Sequence, residues 1–173
     1  IYTLSLHDAL PILAAKTIYL SLGSNIGERA EHIARAVAAL NDAGVRVLRQ
    51  SSLYRTEPLD FAVQSWFLNC AVEAETNLMP HQLLRVLRQI ERTLGRRKLV
   101  RRGPRSIDID ILLYGSTRIS TPELEIPHPR MAERRFVLVS LAEIAPSLHH
   151  PTLRNTIAEL LATCPDRSAV KKL

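Results

Sequence analysis

The sequence predicts an α+β sandwich, in which a mainly antiparallel sheet carries helices on one face and a helical tail follows. Three observations predict it. Short runs rich in β-branched residues alternate apolar and polar positions, two longer stretches repeat apolar residues at helical spacing, and together they follow the order βαββαβ.

Thr17-Ile18-Tyr19-Leu20-Ser21-Leu22-Gly23 is β-rich and ended by glycine, which reads as a strand. Ile26, Ala30, Ile33, Val37 and Leu40 recur at helical spacing and give a first helix closing near Gly44. Residues 45–55 alternate as a second strand, until Glu57-Pro58-Leu59-Asp60 breaks the pattern. Residues 67–74 form a third strand, with Phe67, Asn69, Ala71 and Glu73 on one face. Pro80 opens a second helix, where a first-turn proline loses no hydrogen bond. Its buried stripe is Leu83, Leu84, Leu87, Ile90 and Leu94, and Gly95 ends it. Residues 106–115 read as a fourth strand and 119–126 as a short extended piece before Pro127-His128-Pro129. Residues 136–144 and 156–162 are further helices.

At 173 residues the chain suits one domain. Residues 1–15 are expected to lie outside it, as an extraneous or disordered extension, and residues 16–173 to form it. That opening stretch lacks the basic start of a signal peptide, and Asp8 and Pro11 interrupt its apolar run. No window is apolar enough for a membrane span. Cys70 and Cys164 are far apart without a CxxC, so neither a disulfide framework nor a zinc site is indicated, and a reducing cytoplasm fits. His149-His150 has no partners at metal spacing and reads as surface.

Charge is concentrated rather than spread. Residues 96–105 hold six cations and no anion, and without them the chain balances at 17 against 17. Such a cluster points to a compact polyanion such as a polyphosphate rather than to a long nucleic acid. Directly after it come Asp108 and Asp110. On a strand these positions share a face about 6.5–7 Å apart, leaving Ile107, Ile109 and Ile111 for the core. Two carboxylates on one face suit Mg²⁺, which takes one or two carboxylates and completes its shell with water and phosphate oxygens. Cations and metal ions acting on one phosphate group are what phosphoryl transfer requires. Neither GxxxxGK[ST] nor GxGxxG occurs, so a P-loop and a dinucleotide fold are unsupported. Gly23 reads as a tight turn between strand and helix. Phe67 and Asn69 offer a stacking ring and an amide to a heterocycle, and His128, held in an exposed turn between prolines, offers a donor to phosphate.

Two rivals stand beside this reading. An RNA-binding domain using the arginine-rich loop would need interleaved aromatics on its central strands, and it leaves the two acids without a role. A nucleotide-sugar transferase would need a longer chain with a nucleotide-binding half.

Leu22-Gly23-Ser24-Asn25, Ser52-Leu53-Tyr54-Arg55-Thr56-Glu57-Pro58-Leu59, Phe67-Leu68-Asn69, Gly103-Pro104-Arg105-Ser106-Ile107-Asp108-Ile109-Asp110-Ile111-Leu112 and Ile126-Pro127-His128-Pro129-Arg130-Met131 occur in this order. Together they resemble the 6-hydroxymethyl-7,8-dihydropterin pyrophosphokinases of folate biosynthesis, from about Thr17 to about Pro146. The resemblance implies a ferredoxin-like fold and transfer of the pyrophosphoryl group of ATP to the pterin hydroxymethyl group, with release of AMP. It implies two Mg²⁺ ions on Asp108 and Asp110, and Arg96 and Arg105 on the phosphates. Glu91, Lys98, Ile111, His128 and Arg134 match the ATP pocket, and Arg102, where relatives often carry an aromatic, adds a cation. The pterin is implied between Phe67 and Phe136, with Asn69 on its edge and backbone groups around Thr56 and Leu59. A monomer that binds only these small molecules, with no nucleic acid and no membrane, is the family expectation.

Overall fold

The computed structural model describes residues 14–57, 66–95 and 106–173. Along the chain run β1 (Lys16–Ser24), α1 (Arg29–Asp42), β2 (Val45–Gln50), β3 (Tyr54–Thr56), β4 (Phe67–Thr76) and α2 (Pro80–Leu94). They are followed by β5 (Asp108–Tyr114), β6 (Ile119–Ser120), β7 (Glu125–Ile126), α3 (Arg135–Ile144), α4 (Ile157–Ala162) and β8 (Val170–Lys172). The main sheet has the order β5-β1-β4-β3-β8, with β2 also on β4, and its pairings are antiparallel. This is the ferredoxin-like arrangement: each βαβ crossover skips a strand, and the two halves interleave.

Residue alternation decides which face each side chain meets. Ile18, Leu20 and Leu22 of β1, Leu68, Cys70 and Val72 of β4, and Ile107, Ile109 and Ile111 form one apolar layer with α1 and α2. Ile33, Ala36 and Leu40 come down from α1, and Leu83, Leu87 and Ile90 from α2. Helices on this face alone were expected. Instead Tyr19, Ala71, Leu112 and Leu113 meet Val137, Leu138 and Leu141 of α3 and Ile157 and Leu160 of α4 on the opposite face. The tail helices therefore close a second core. With both faces covered, strands β1 and β4 are buried almost throughout.

Three further differences have physical reasons. The second strand divides in two, because Ser51 leaves the pattern: its N–H donates to the Ala71 carbonyl and its Oγ accepts from the Ala71 N–H, both at 2.9 Å. Ile26 is 40% exposed and lies ahead of α1, which starts at Arg29, so the first helix uses Ala36 where Ile26 and Ala30 were expected. The β8 strand, short and lysine-rich, gave no apolar alternation to read, yet it pairs with β3.

In β5 the register slips by one residue. Ile111 lies opposite Leu20 and Leu113 opposite Tyr19, leaving Leu112 as an extra, bulged residue. Its side chain and that of Leu113 both enter the second core. The α2 helix ends at Gly95, whose N–H donates to the Glu91 carbonyl, and a Cβ there would lie 2.8 Å from that oxygen.

Candidate functional site

The site is assembled along the face of the sheet that α3 only partly covers. Directly opposed residues in an antiparallel ladder share a face. Asn69 pairs with Gly23, and Gly23 pairs with Asp108, so the three form one row across β4, β1 and β5. Successive strands lie about 4.8 Å apart, which sets Asn69 and Asp108 roughly 10 Å from each other. Asp110 follows on the same face, opposite Ser21. The two acids are half-buried, whereas Ile109 between them is fully buried on the far side. The expected geometry of twin carboxylates facing away from Ile107, Ile109 and Ile111 is thus what the strand adopts.

Gly23 belongs to this row and not to a turn. It lies within β1, and a Cβ at that position would come 2.5 Å from Asn69 Oδ1. The glycine makes room for the Asn69 amide. That amide is buried, and its Nδ2 donates to Thr56 Oγ1 at 2.6 Å, which fixes its plane. Phe67 is half-buried and pairs with Thr56. Phe136 lies in the first turn of α3, half-buried against the second core, and α3 crosses β4 and β3. The structure therefore gathers Thr56, Phe67 and Asn69 on one face across β3 and β4, with the helix bearing Phe136 beside them.

Glu91 and Arg88 brace the edge strand β5. Glu91 Oε1 accepts from the Ile109 N–H at 2.8 Å and from Arg88 Nη1 at 2.7 Å, and Arg88 also donates to the Ile109 carbonyl at 3.3 Å. The peptide between the two acids is thereby tied to α2. Burial pushes the Glu91 carboxyl above the ordinary carboxylate range, against the pull of the Ile109 N–H and the Arg88 guanidinium, and the charge of Asp108 adds to the rise. Arg88 was not foreseen; its position three residues before Glu91 on the α2 helix was the available signal.

His128 lies near enough to Asp110 to feel its charge. Its N–H donates to the carbonyl of the bulged Leu112 at 2.9 Å, and its Nδ1 accepts from the Arg130 N–H at 3.1 Å, leaving Nε2 to carry the proton of the neutral ring. The exposed turn expected here is in fact half-buried. Burial lowers the His128 pKa; Asp110 opposes that fall, and the cations of Arg134 and Arg130 reinforce it. Arg134 occupies the position just before α3, and its side chain makes no capping bond there. The side chain of Ile111 points into the first core. His149 is exposed, but His150, also expected on the surface, is buried. Its Nδ1 accepts from the N–H groups of Thr152 and Leu153, and burial lowers its pKa. Cys70 is a core residue whose thiol burial pushes up to about 12. Arg96, Lys98, Arg102, Arg105 and Leu59, and residues 1–13, lie outside the described residues. Among the described residues no three His, Cys, Asp or Glu side chains cluster as a metal cage, and no helix is long and apolar enough to cross a membrane.

An antiparallel ferredoxin-like sheet with paired acids on an edge strand, which a basic segment precedes in the sequence, is an arrangement that suits a phosphate-transferring enzyme. Solved structures share the fold: a Plasmodium falciparum HPPK-DHPS crystal structure superposes with a TM-score of 0.70 at 19% identity, covering 86% of this chain and 45% of that one. The family model for 7,8-dihydro-6-hydroxymethylpterin-pyrophosphokinase (HPPK) matches residues 19–146, and the chain belongs to that family of folate-pathway diphosphotransferases. A 2-amino-4-hydroxy-6-hydroxymethyldihydropteridine pyrophosphokinase of Bacillus subtilis is 51% identical over 127 residues, 73% of this chain and 76% of the relative. One of the same description from Methylorubrum extorquens is 49% identical over 145 residues, 82% of this chain and 92% of the relative.

Proposed function

We propose that this chain transfers the β,γ-pyrophosphoryl group of ATP to the hydroxymethyl oxygen of 6-hydroxymethyl-7,8-dihydropterin, giving the pterin diphosphate and AMP. The observation that carries the reading is the row Asn69–Gly23–Asp108, which sets an amide for a heterocycle edge and a carboxylate for a metal-bound phosphate at the two ends of one span. A flat pterin offers donors and acceptors along one edge and two faces for stacking. Asn69 and backbone groups near Thr56 and Leu59 take the edge, and Phe67 and Phe136 take the faces. The hydroxymethyl arm then points along the row toward β5.

Asp108 and Asp110 would hold two Mg²⁺ ions. The donor set fits that ion: oxygen ligands only, two carboxylates on one strand face, and the remaining positions left to water and nucleotide. Bound there, the ions supply charge neutralisation on the phosphate oxygens. Glu91 and Arg88 keep the Asp108–Asp110 peptide straight from behind, so the two carboxylates keep their spacing. His128 presents Nε2–H beside Asp110 as a phosphate donor, and Arg134 adds a positive charge at the same end. The Ile111 backbone, Lys98, Arg102 and Glu91 complete the nucleotide pocket. Arg96 and Arg105 neutralise the phosphates as the bond to the β-phosphorus forms and the α,β-bridge breaks. Positioning and electrostatics supply the rate, without a covalent intermediate. The enzyme acts in the cytoplasm as a monomer.

The test mixes the protein with Mg-ATP and the hydroxymethyl dihydropterin. AMP and pterin diphosphate are expected in equal amounts. Release of ADP, or AMP formation indifferent to the pterin, refutes the assignment.

A further inference from the structure

From β8 and Trp66 we infer a positioning device for the pterin side of the site, acting from the opposite face of the sheet; the inference rests on the pterin reading above. The strand that carries Thr56, β3, has only three residues and is held between β4 and β8. Thr56 pairs with Phe67 on one side and Val170 on the other. The bonds run past both ends of the strand: the Ala169 N–H donates to Glu57 Oε1 at 3.1 Å, and the Leu173 N–H to the Leu53 carbonyl at 3.0 Å. A second tether crosses to the helix bearing Phe136. Lys172 Nζ lies 3.2 Å from Glu143 Oε1, and the Glu143 carboxylate accepts from both the N–H and the Oγ–H of Ser52 at 2.6 Å. One short strand thus joins three contributors to the pterin site: Thr56, the start of β4, and α3.

The middle pair of this ladder should repel. Arg55 and Lys171 stand directly opposite each other, and like charges so placed destabilise strand pairing. Both cations sit over the Trp66 ring, the Arg55 Cζ at 5.2 Å from its centroid and the Lys171 Nζ at 5.9 Å. The electron-rich indole face offsets their repulsion. Trp66 is itself pinned, because its carbonyl accepts from Arg29 Nη1 at the start of α1. Arg55 pairs with Leu68, a residue of the α1/α2 layer, so this cluster lies behind the sheet and away from Thr56 and Asn69. Arg55, Lys171 and Trp66 are therefore positioning residues: they hold β8 on β3, β3 sets Thr56 Oγ1, and Thr56 sets the Asn69 amide.

The test is a charge-compensation cycle on the full chain, read by initial rates of pterin-dependent AMP release. Trp66→Leu removes the shared ring and leaves the repulsion; the KM for the pterin rises about 5- to 10-fold, while kcat at saturating pterin and the KM for ATP stay within twofold. Adding Lys171→Glu puts an anion opposite Arg55 and restores the pterin KM to within twofold of native. An unchanged pterin KM in Trp66→Leu, a parallel fall in kcat, or no recovery in the double variant overturns the inference. If Trp66→Leu does not fold, Trp66→Phe keeps a weaker ring. A 2- to 3-fold rise that Lys171→Glu removes supports the device, and native behaviour overturns it. The two readings fail separately: a native chain without pterin-dependent AMP release ends the functional assignment, whereas native activity with indifferent variants ends only this one.

Discussion

Substituting Gly23 by alanine tests the central row directly. The added Cβ would lie 2.5 Å from Asn69 Oδ1, closer than real carbon–oxygen contacts allow. The backbone at Gly23 is held by ladders on both sides, so the Asn69 side chain must turn. Turning it breaks the 2.6 Å bond from Nδ2 to Thr56 Oγ1 and leaves a buried amide without that partner. Such a loss costs about 1–3 kcal/mol, and overpacking a filled site costs about the same. The two describe one event, so the expected destabilisation is about 2–3 kcal/mol, a fall of roughly 5–10 °C in Tm for a chain of this size. The displaced amide also no longer meets the pterin edge, and losing about 1.4 kcal/mol of hydrogen bonding there raises the pterin KM about 10-fold. Thermal unfolding followed by circular dichroism gives the first number, and AMP release at varied pterin gives the second. The KM for ATP should hold. Native Tm together with native pterin KM refutes the packing argument. Gly44→Ala is the control: its φ of 85° makes alanine strained, but nothing stands within 4 Å, so stability falls and the pterin KM does not move.

Asp108→Asn and Asp110→Asn should each lower kcat by at least about 100-fold while the Tm stays near native, since each removes charge at the phosphates and little packing; near-native rates in either would end the two-metal assignment. Glu91→Ala leaves the Ile109 N–H and Arg88 without their acceptor and should cost about 1–3 kcal/mol in urea unfolding, with Glu91→Gln milder because it keeps an acceptor oxygen. Burial raises the Glu143 pKa, but the Ser52 hydrogen bonds and Lys172 outweigh it and hold the carboxyl below its ordinary 4.5. A depressed folded-state pKa gives stability that is present above 4.5 and lost as pH falls through the lower value. Glu143→Gln should therefore flatten the acid limb of a stability–pH curve, and an unchanged acid limb would show that Glu143 contributes nothing there.

Much of this architecture was legible because one layer of the sheet is strictly alternating. Ile18, Leu20 and Leu22, like Ile107, Ile109 and Ile111, announce which face is buried, and that alone puts Asp108 and Asp110 together on the other. The Asn69–Phe67 face followed in the same way. What alternation cannot show is a strand buried on both sides, so the second core under α3 and α4 was missed. Nor can it show a strand held by charge and backbone: β8 reads Val-Lys-Lys, and its pairing depends on Glu143, Glu57 and a tryptophan far away in sequence. A glycine after a β-rich run resembles a turn, and only the pairing of Gly23 with Asn69 reveals that its missing side chain is the point.

The slip at Leu112 separates β5 into two halves with independent obligations. Ahead of it, alternation is spent on holding two charged groups toward solvent; beyond it, Leu113 and Tyr114 serve opposite oily layers. The surplus residue also hands its carbonyl to His128, so a loop sixteen positions downstream is hooked onto the strand beside Asp110. Excising Leu112 would leave the ladder regular, yet it would take a fully buried side chain out of the second core and the carbonyl away from His128, so core packing and the tether of that loop would be lost together.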